Sequence, residues 1–141
     1  MNEIQMARLL GLLSIGLGAA ELAASRQVSR QVGVHKPDVV KAFGAREVGN
    51  GLLAMAYPDF SWPIWARVAG DVMDLALLAG ALGSRNRRRH RAAWAAIGAL
   101  GITLLDVTVA TMLTQREQRA KATAERTHVR RKLGAPLPKP A

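Results

Sequence analysis

Four apolar stretches run through this chain, at about residues 7–24, 42–57, 65–82 and 92–113, and each carries a carboxylate. Glu21 lies in the first, Glu47 in the second, Asp71 and Asp74 in the third, and Asp106 in the fourth. A membrane-spanning helix needs roughly 17–25 largely apolar residues. The first, third and fourth stretches meet that length, and the second approaches it if it begins near Val39. An ionisable group at membrane depth is costly and marks an assembly or functional site by default. The pattern predicts an all-α integral membrane four-helix bundle over residues 1–113, with a basic tail over 114–141 that is helical and then disordered. A soluble four-helix bundle is the alternative. It needs a polar stripe along each helix, which the stretch from Ala92 to Leu113 lacks.

The chain has twenty Lys and Arg against ten Asp and Glu, a formal net charge of +10. The excess lies outside the apolar stretches. Arg85, Arg87, Arg88, Arg89 and Arg91 crowd one connection, and Arg116 to Lys132 form a second cluster. No recognition motif or aromatic stacking platform accompanies them, which excludes nucleic acid as the expected partner. Basic segments flanking membrane spans are drawn to anionic headgroups, so the five loop arginines are assigned to headgroup or partner contact. The chain has no cysteine, which excludes disulfides, iron–sulfur clusters and a thiol relay. His35, His90 and His128 all fall outside the apolar stretches, so paired haem ligands within the membrane are excluded. No zinc or di-iron ligand spacing occurs, and no cofactor or metal is expected. Glu3 and Glu21 argue against residues 1–25 being a cleaved signal peptide.

The connection from Ser25 to Lys41 is basic, and its stretch Val28 to Val34 reads equally as a short interfacial helix or a surface loop. Pro58 to Pro63 forms a tight turn, with Trp62 and Trp65 as interface anchors. Thr114 to Leu133 has helix formers and a Glu117–Lys121 pair at i,i+4, and reads as a helix leaving the membrane. Arg8-Leu9-Leu10-Gly11 and Arg67-Val68-Ala69-Gly70 make a faint internal repeat. With four spans, both termini share a side with the 58–64 turn, opposite the connections 25–41 and 83–91. The tail is as basic as those connections, so the positive-inside rule divides. The expectation is a bacterial inner membrane with cytoplasmic termini.

At about 1.5 Å per residue, Glu21, Arg46 and Glu47 fall in one layer, and Arg8, Arg67, Asp71 and Asp106 in another, with Asp74 between. Arg67, Asp71 and Asp74 are spaced at i,i+4 and i,i+3, so they share a narrow arc turned into the bundle. Gly11, Ser14 and Gly18 line one helix face, and Gly44 and Gly51 another; with Gly70 they are expected to let helices approach closely. Ion pairs Glu21–Arg46 and Asp71–Arg67 are expected to fix helix register. Five carboxylates nevertheless face only Arg8, Arg46 and Arg67. At least one acid, with Asp74 and Asp106 as candidates, is left to be protonated, to hold a cation or to meet a partner's basic group.

The segment Ala42-Phe43-Gly44-Ala45-Arg46-Glu47-Val48-Gly49-Asn50-Gly51-Leu52 resembles the Phe-Gly-x-Arg-Glu-x-x-x-Gly segment of small four-helix membrane families related to DoxX. The segment Trp65-Ala66-Arg67-Val68-Ala69-Gly70-Asp71-Val72-Met73-Asp74-Leu75 is similar to the third helix of the membrane domain that precedes a soluble domain in bacterial proteins labelled cyclase/dehydrase. The resemblance covers roughly residues 5–113. It implies four spans and a polar core of Arg46, Glu47, Arg67, Asp71 and Asp74. This chain has a charged tail where those longer proteins have their soluble domain, so their label carries no activity across. DoxX-like relatives include subunits linked to quinone-reducing complexes, which implies an accessory role near a respiratory or redox enzyme. The expected function is a non-catalytic assembly or accessory subunit, as a homo-oligomer or within a larger membrane complex. The alternatives are proton or cation handling through Asp71, Asp74 and Asp106, and a quinone- or lipid-binding membrane protein. No nucleophile–base pair is recognisable, so no catalytic residue is assigned.

Overall fold

A computed structural model of the protein describes residues 2–31, 36–82 and 89–133. Among these the chain forms five helices and no strand: α1 (Glu3–Ala23), α2 (Ser25–Gln31), α3 (Pro37–Ala56), α4 (Trp62–Ala81) and α5 (Arg89–Lys132). The ends of these helices follow from local chemistry. Asn2 and Gln5 form a reciprocal capping box, with Gln5 N donating to Asn2 Oδ1 at 2.9 Å and Asn2 N donating to Gln5 Oε1 at 3.1 Å. α3 begins at Pro37, earlier than the apolar stretch, because proline suits the first turn of a helix and Asp38 complements its dipole there. The cap of α4 is supplied from another helix. Ser61 makes no side-chain cap of its own; its N–H donates to Glu117 Oε1 at 2.6 Å and its hydroxyl to Glu117 Oε2 at 3.2 Å. Glu117 thus serves α4, and its expected i,i+4 partner Lys121 is exposed.

The expected fourth span, to Leu113, and the expected tail helix fall within a single helix. α5 is one continuous helix of 44 residues, roughly 66 Å long at about 1.5 Å per residue. No glycine or proline falls between Gly101 and Gly134 to interrupt it. The 25–41 connection contains α2, which starts three residues before the short helix expected there; Val32 to His35 lie outside the described residues, as does the tail from Gly134 onward.

α1 packs chiefly on α3 and α4 chiefly on α5. The pairs join where α3 meets α4 and where α1 meets α5, and α2 lies against α3 and α1. The α1–α3 contact is backbone against backbone. A Cβ added to Gly18 would lie 2.5 Å from Gly44 O, one on Gly44 2.7 Å from Gly18 O, and one on Gly51 2.6 Å from Gly11 O. The small-residue stripes therefore do what their spacing predicts. One end of the ring is filled by an apolar cluster: Ala7 and Leu10 of α1, Ala54 of α3, Ile64 of α4, and Val109 and Leu113 of α5. At that end Arg116 of α5 pairs with Glu3 at 3.6 Å and with Asp59 at 3.4 Å.

The polarity of the packed helices is inverted. Leu9, Leu12, Leu13 and Leu17 of α1 are exposed, as are Val72 and Met73 of α4, and Leu104 is 67% exposed. Arg67 is 1% exposed and Asp106 0%. Two helices, α1 and α5, are long and apolar enough to cross a membrane. α4 was expected among them, but Arg67, Asp71 and Asp74 all fall within its 20 residues. α3 carries Lys41, Arg46 and Glu47 in the same length.

The glycine contacts yield a graded prediction. Gly18→Leu should destabilise the protein by roughly 1–3 kcal/mol or prevent folding, because the obstructing atoms are backbone. Gly16→Ala, whose Cβ meets nothing within 4 Å, should be neutral or stabilise by up to about 1 kcal/mol. Thermal unfolding of the two variants in mild detergent checks the contrast.

Candidate functional site

Glu47 is the hub of a polar network that ties all four long helices together. From α1, the Ser14 hydroxyl lies 2.8 Å from the Glu47 backbone carbonyl and also against Glu47 Oε2, with one proton to donate. Arg46, its neighbour on α3, donates from Nη2 to Glu47 Oε1 and to Asp74 Oδ2 of α4, both at 2.8 Å. From α4, Arg67 Nη1 lies 3.4 Å from Glu47 Oε2. Arg67 then reaches α5, placing both Nε and Nη2 3.0 Å from Asp106 Oδ2.

Arg46 is held in place by two further contacts. Its Nη1 donates to Gly70 O at 3.1 Å, and its guanidinium stands 5.1 Å from the centre of the Phe43 ring, a cation–π distance. A Cβ on Gly70 would lie 2.7 Å from Arg46 Cζ. Gly70 therefore makes room for an arginine, where helix–helix packing was expected of it. Ser14, also assigned to packing, belongs to the polar network.

Several expected pairings do not form. Glu21 does not pair with Arg46, and its Oε2 is buried without a hydrogen-bond partner. Asp71 does not bond Arg67, because that guanidinium is turned across the bundle toward Asp106 and Glu47. The Asp71 carboxyl instead lies beside that of Asp106, and its Oδ2 has no partner. Arg8 is exposed and outside the network, whereas Arg67 is buried within it. Arg67 links the two expected layers, since its long side chain reaches Asp106 in one and Glu47 in the other. Sequence reasoning missed Phe43, although its i,i+3 spacing to Arg46 was a usable signal.

On the α2 side of this network the helices enclose a cavity of about 310 Å³. Its walls are apolar: Leu17 of α1, Val40 and Phe43 of α3, Leu78 of α4 and Ile102 of α5, with Val28 of α2 above them. Its polar end is made by Glu21, Glu47, Arg67, Asp71 and Asp74. On the far side of the network the apolar cluster around Ile64 and Leu113 closes the bundle. Glu47, Asp71 and Asp74 each bring a carboxylate oxygen within 4.8 Å of the others, a spacing a metal ion accepts. The two arginines already occupy both oxygens of Glu47 and one of Asp74. A metal ion would have to displace or repel two guanidinium groups, so the donor set does not fit one.

Of the arginines assigned to headgroup or partner contact, Arg85, Arg87 and Arg88 lie outside the described residues. Arg89 and Arg91 are exposed at the start of α5, and Arg91 Nη1 donates to the backbone carbonyl of Arg30 at 3.3 Å. Trp62 and Trp65 are exposed beside the α3–α4 turn, and Trp65 Nε1 donates to Thr114 Oγ1 at 3.1 Å. The chain matches no known protein family, no curated protein and no solved structure.

The burial of Arg67 and Asp106 makes the network testable by a mutant cycle. Arg67→Met leaves the Asp106 carboxylate buried without its cation and should cost roughly 3–5 kcal/mol. Adding Asp106→Leu to that variant should recover most of the loss, since an apolar pair of similar volume carries no desolvation cost. Unfolding of both single variants and the double variant in detergent measures the coupling.

Proposed function

We propose that this protein is a multi-pass membrane protein whose four long helices all cross the bilayer, and that it binds a small amphiphilic molecule in the cavity between them. The observation that carries this reading is the inverted polarity: an ion-pair core at Arg67 and Asp106 inside a shell of exposed leucines. In water such a surface drives association. In lipid it is the solvated surface, and charges are tolerated where they face the bundle interior and pair with one another. A cavity with apolar walls and a few convergent polar groups is the usual form of a small-molecule site. The apolar cluster that closes one end favours retention of a ligand over passage of protons or ions through the bundle.

A second reading, as an accessory subunit of a membrane complex, draws on one feature. Beyond Glu117, α5 continues to Lys132 as exposed helix with six Lys and Arg against one acid. Such a projection suits an acidic partner or anionic headgroups. Native mass spectrometry of the gently extracted protein tests this reading: a defined foreign subunit supports it, and a lone monomer or symmetric homo-oligomer removes it. In either case the proposed setting is a bacterial inner membrane, with the chain termini and the α3–α4 turn on its cytoplasmic side.

The absence of cysteine makes topology directly measurable. Single cysteines at Asp59 and Thr127 should react with an impermeant maleimide from one side of sealed vesicles. One at Gln31 should react only from the other side, and one at Leu104 should be protected. Release of the protein by alkaline carbonate, or labelling of Leu104→Cys from the aqueous phase, would sink the membrane reading.

A further inference from the structure

We infer that the cavity selects an organic cation, a primary ammonium group on a short apolar chain. This rests on the proposed pocket and specifies its ligand. Three carboxylate oxygens around the polar end are buried and have no hydrogen-bond donor: Glu21 Oε2, Asp71 Oδ2 and Asp74 Oδ1. All three residues line the cavity. Asp71 is the decisive one, because it is only 8% exposed and its Oδ2 has no hydrogen-bond partner. Its neighbour Asp106 supplies another carboxyl and no cation, since Arg67 is committed to the other oxygen of Asp106 and to Glu47.

A buried acceptor without a donor carries its full desolvation cost. The formal charge balance sets the sign of the missing group. Glu21, Glu47, Asp71, Asp74 and Asp106 face Arg46 and Arg67, five acids against two bases. An anion would add to the excess, and a neutral acceptor would bring no donor to the empty oxygens. A bare metal ion would need the oxygens that the guanidinium groups hold. An ammonium group suits these acceptors, because it offsets one of the three excess charges and brings N–H donors to buried oxygens that have none. Its attached chain would lie against Leu17, Phe43, Leu78 and Ile102. The cavity of about 310 Å³ is at the small end of ligand clefts, which restricts the chain to a short one.

The test is isothermal titration of the full chain in phosphatidylcholine nanodiscs with hexylammonium, hexanol and hexanoate. The proposal expects one saturable site for hexylammonium and affinity at least roughly tenfold weaker for the other two. Asp71→Asn removes the charge while keeping the side-chain shape, and should weaken hexylammonium binding roughly tenfold or more. Glu21→Gln should weaken it in the same direction, and serves if Asp71→Asn fails to fold. Gly98→Phe should abolish binding, because Gly98 lines the cavity and has open space for a side chain.

Hexanol or hexanoate binding as tightly as hexylammonium, with Gly98→Phe blocking it, would overturn the cation selectivity and leave the pocket standing. Hexylammonium binding that neither Asp71→Asn nor Glu21→Gln weakens would likewise overturn the proposal. Sodium or calcium ions alone binding saturably, with no heat from hexylammonium, would replace it with an inorganic ion site. No saturable binding of any probe would remove both the ammonium proposal and the pocket reading.

Discussion

The guanidinium of Arg67, 1% exposed on α4, is held by Asp106 of α5 and Glu47 of α3. A buried cation is tolerable only when its partners are present and aligned. That requirement fixes how α4 faces two other helices at one height. Glu47 extends the constraint: it accepts from Ser14 of α1 and from Arg46, which in turn reaches Asp74 and the backbone of Gly70. The four long helices are thus registered through one set of polar groups, each shared between helices. Buried ion pairs are weak sources of net stability but effective penalties against misregister, and that is the role this arrangement suits.

The polar network also divides the bundle into unlike halves. Toward the α3–α4 turn, small and medium apolar side chains close the interior, and Glu117 and Arg116 fasten α5 over that end. Toward α2 the same helices hold the cavity apart. The network is both the floor of the cavity and the source of its unfilled acceptors. A carboxylate that serves structure, such as Glu47, has its oxygens occupied. Asp71 and Glu21, which have no arginine, are the groups with binding capacity left over.

Much of this was legible in the chain itself. The apolar stretches located the four long helices, because their length and composition suit little else. The Gly11, Gly18, Gly44 and Gly51 spacing marked the faces where backbones approach closely, and the fold brought those two faces together. The burial of Arg67, Asp71 and Asp106 was legible too, since charges within apolar stretches have nowhere else to go. The helix boundaries were less so. Pro37 extended α3 through a polar segment, and helix formers carried α5 past Leu113 without a break.

What the sequence by itself determined is therefore the inventory: four long helices, small-residue faces, and more acid than base within the apolar stretches. What only the tertiary structure decided is the pairing. Glu21 with Arg46, matched in depth, and Asp71 with Arg67, one helical turn apart, were the expected pairs, and neither forms. Arginine side chains are long enough to choose among several acids at similar depth, and the choice depends on helix rotation and on the neighbours that hold each guanidinium. Phe43 and the bare backbone of Gly70 aim Arg46 at Asp74, and the position of α5 gives Arg67 to Asp106. Those two choices leave Asp71 Oδ2 without a donor at the edge of a cavity, an outcome that no local pattern encodes.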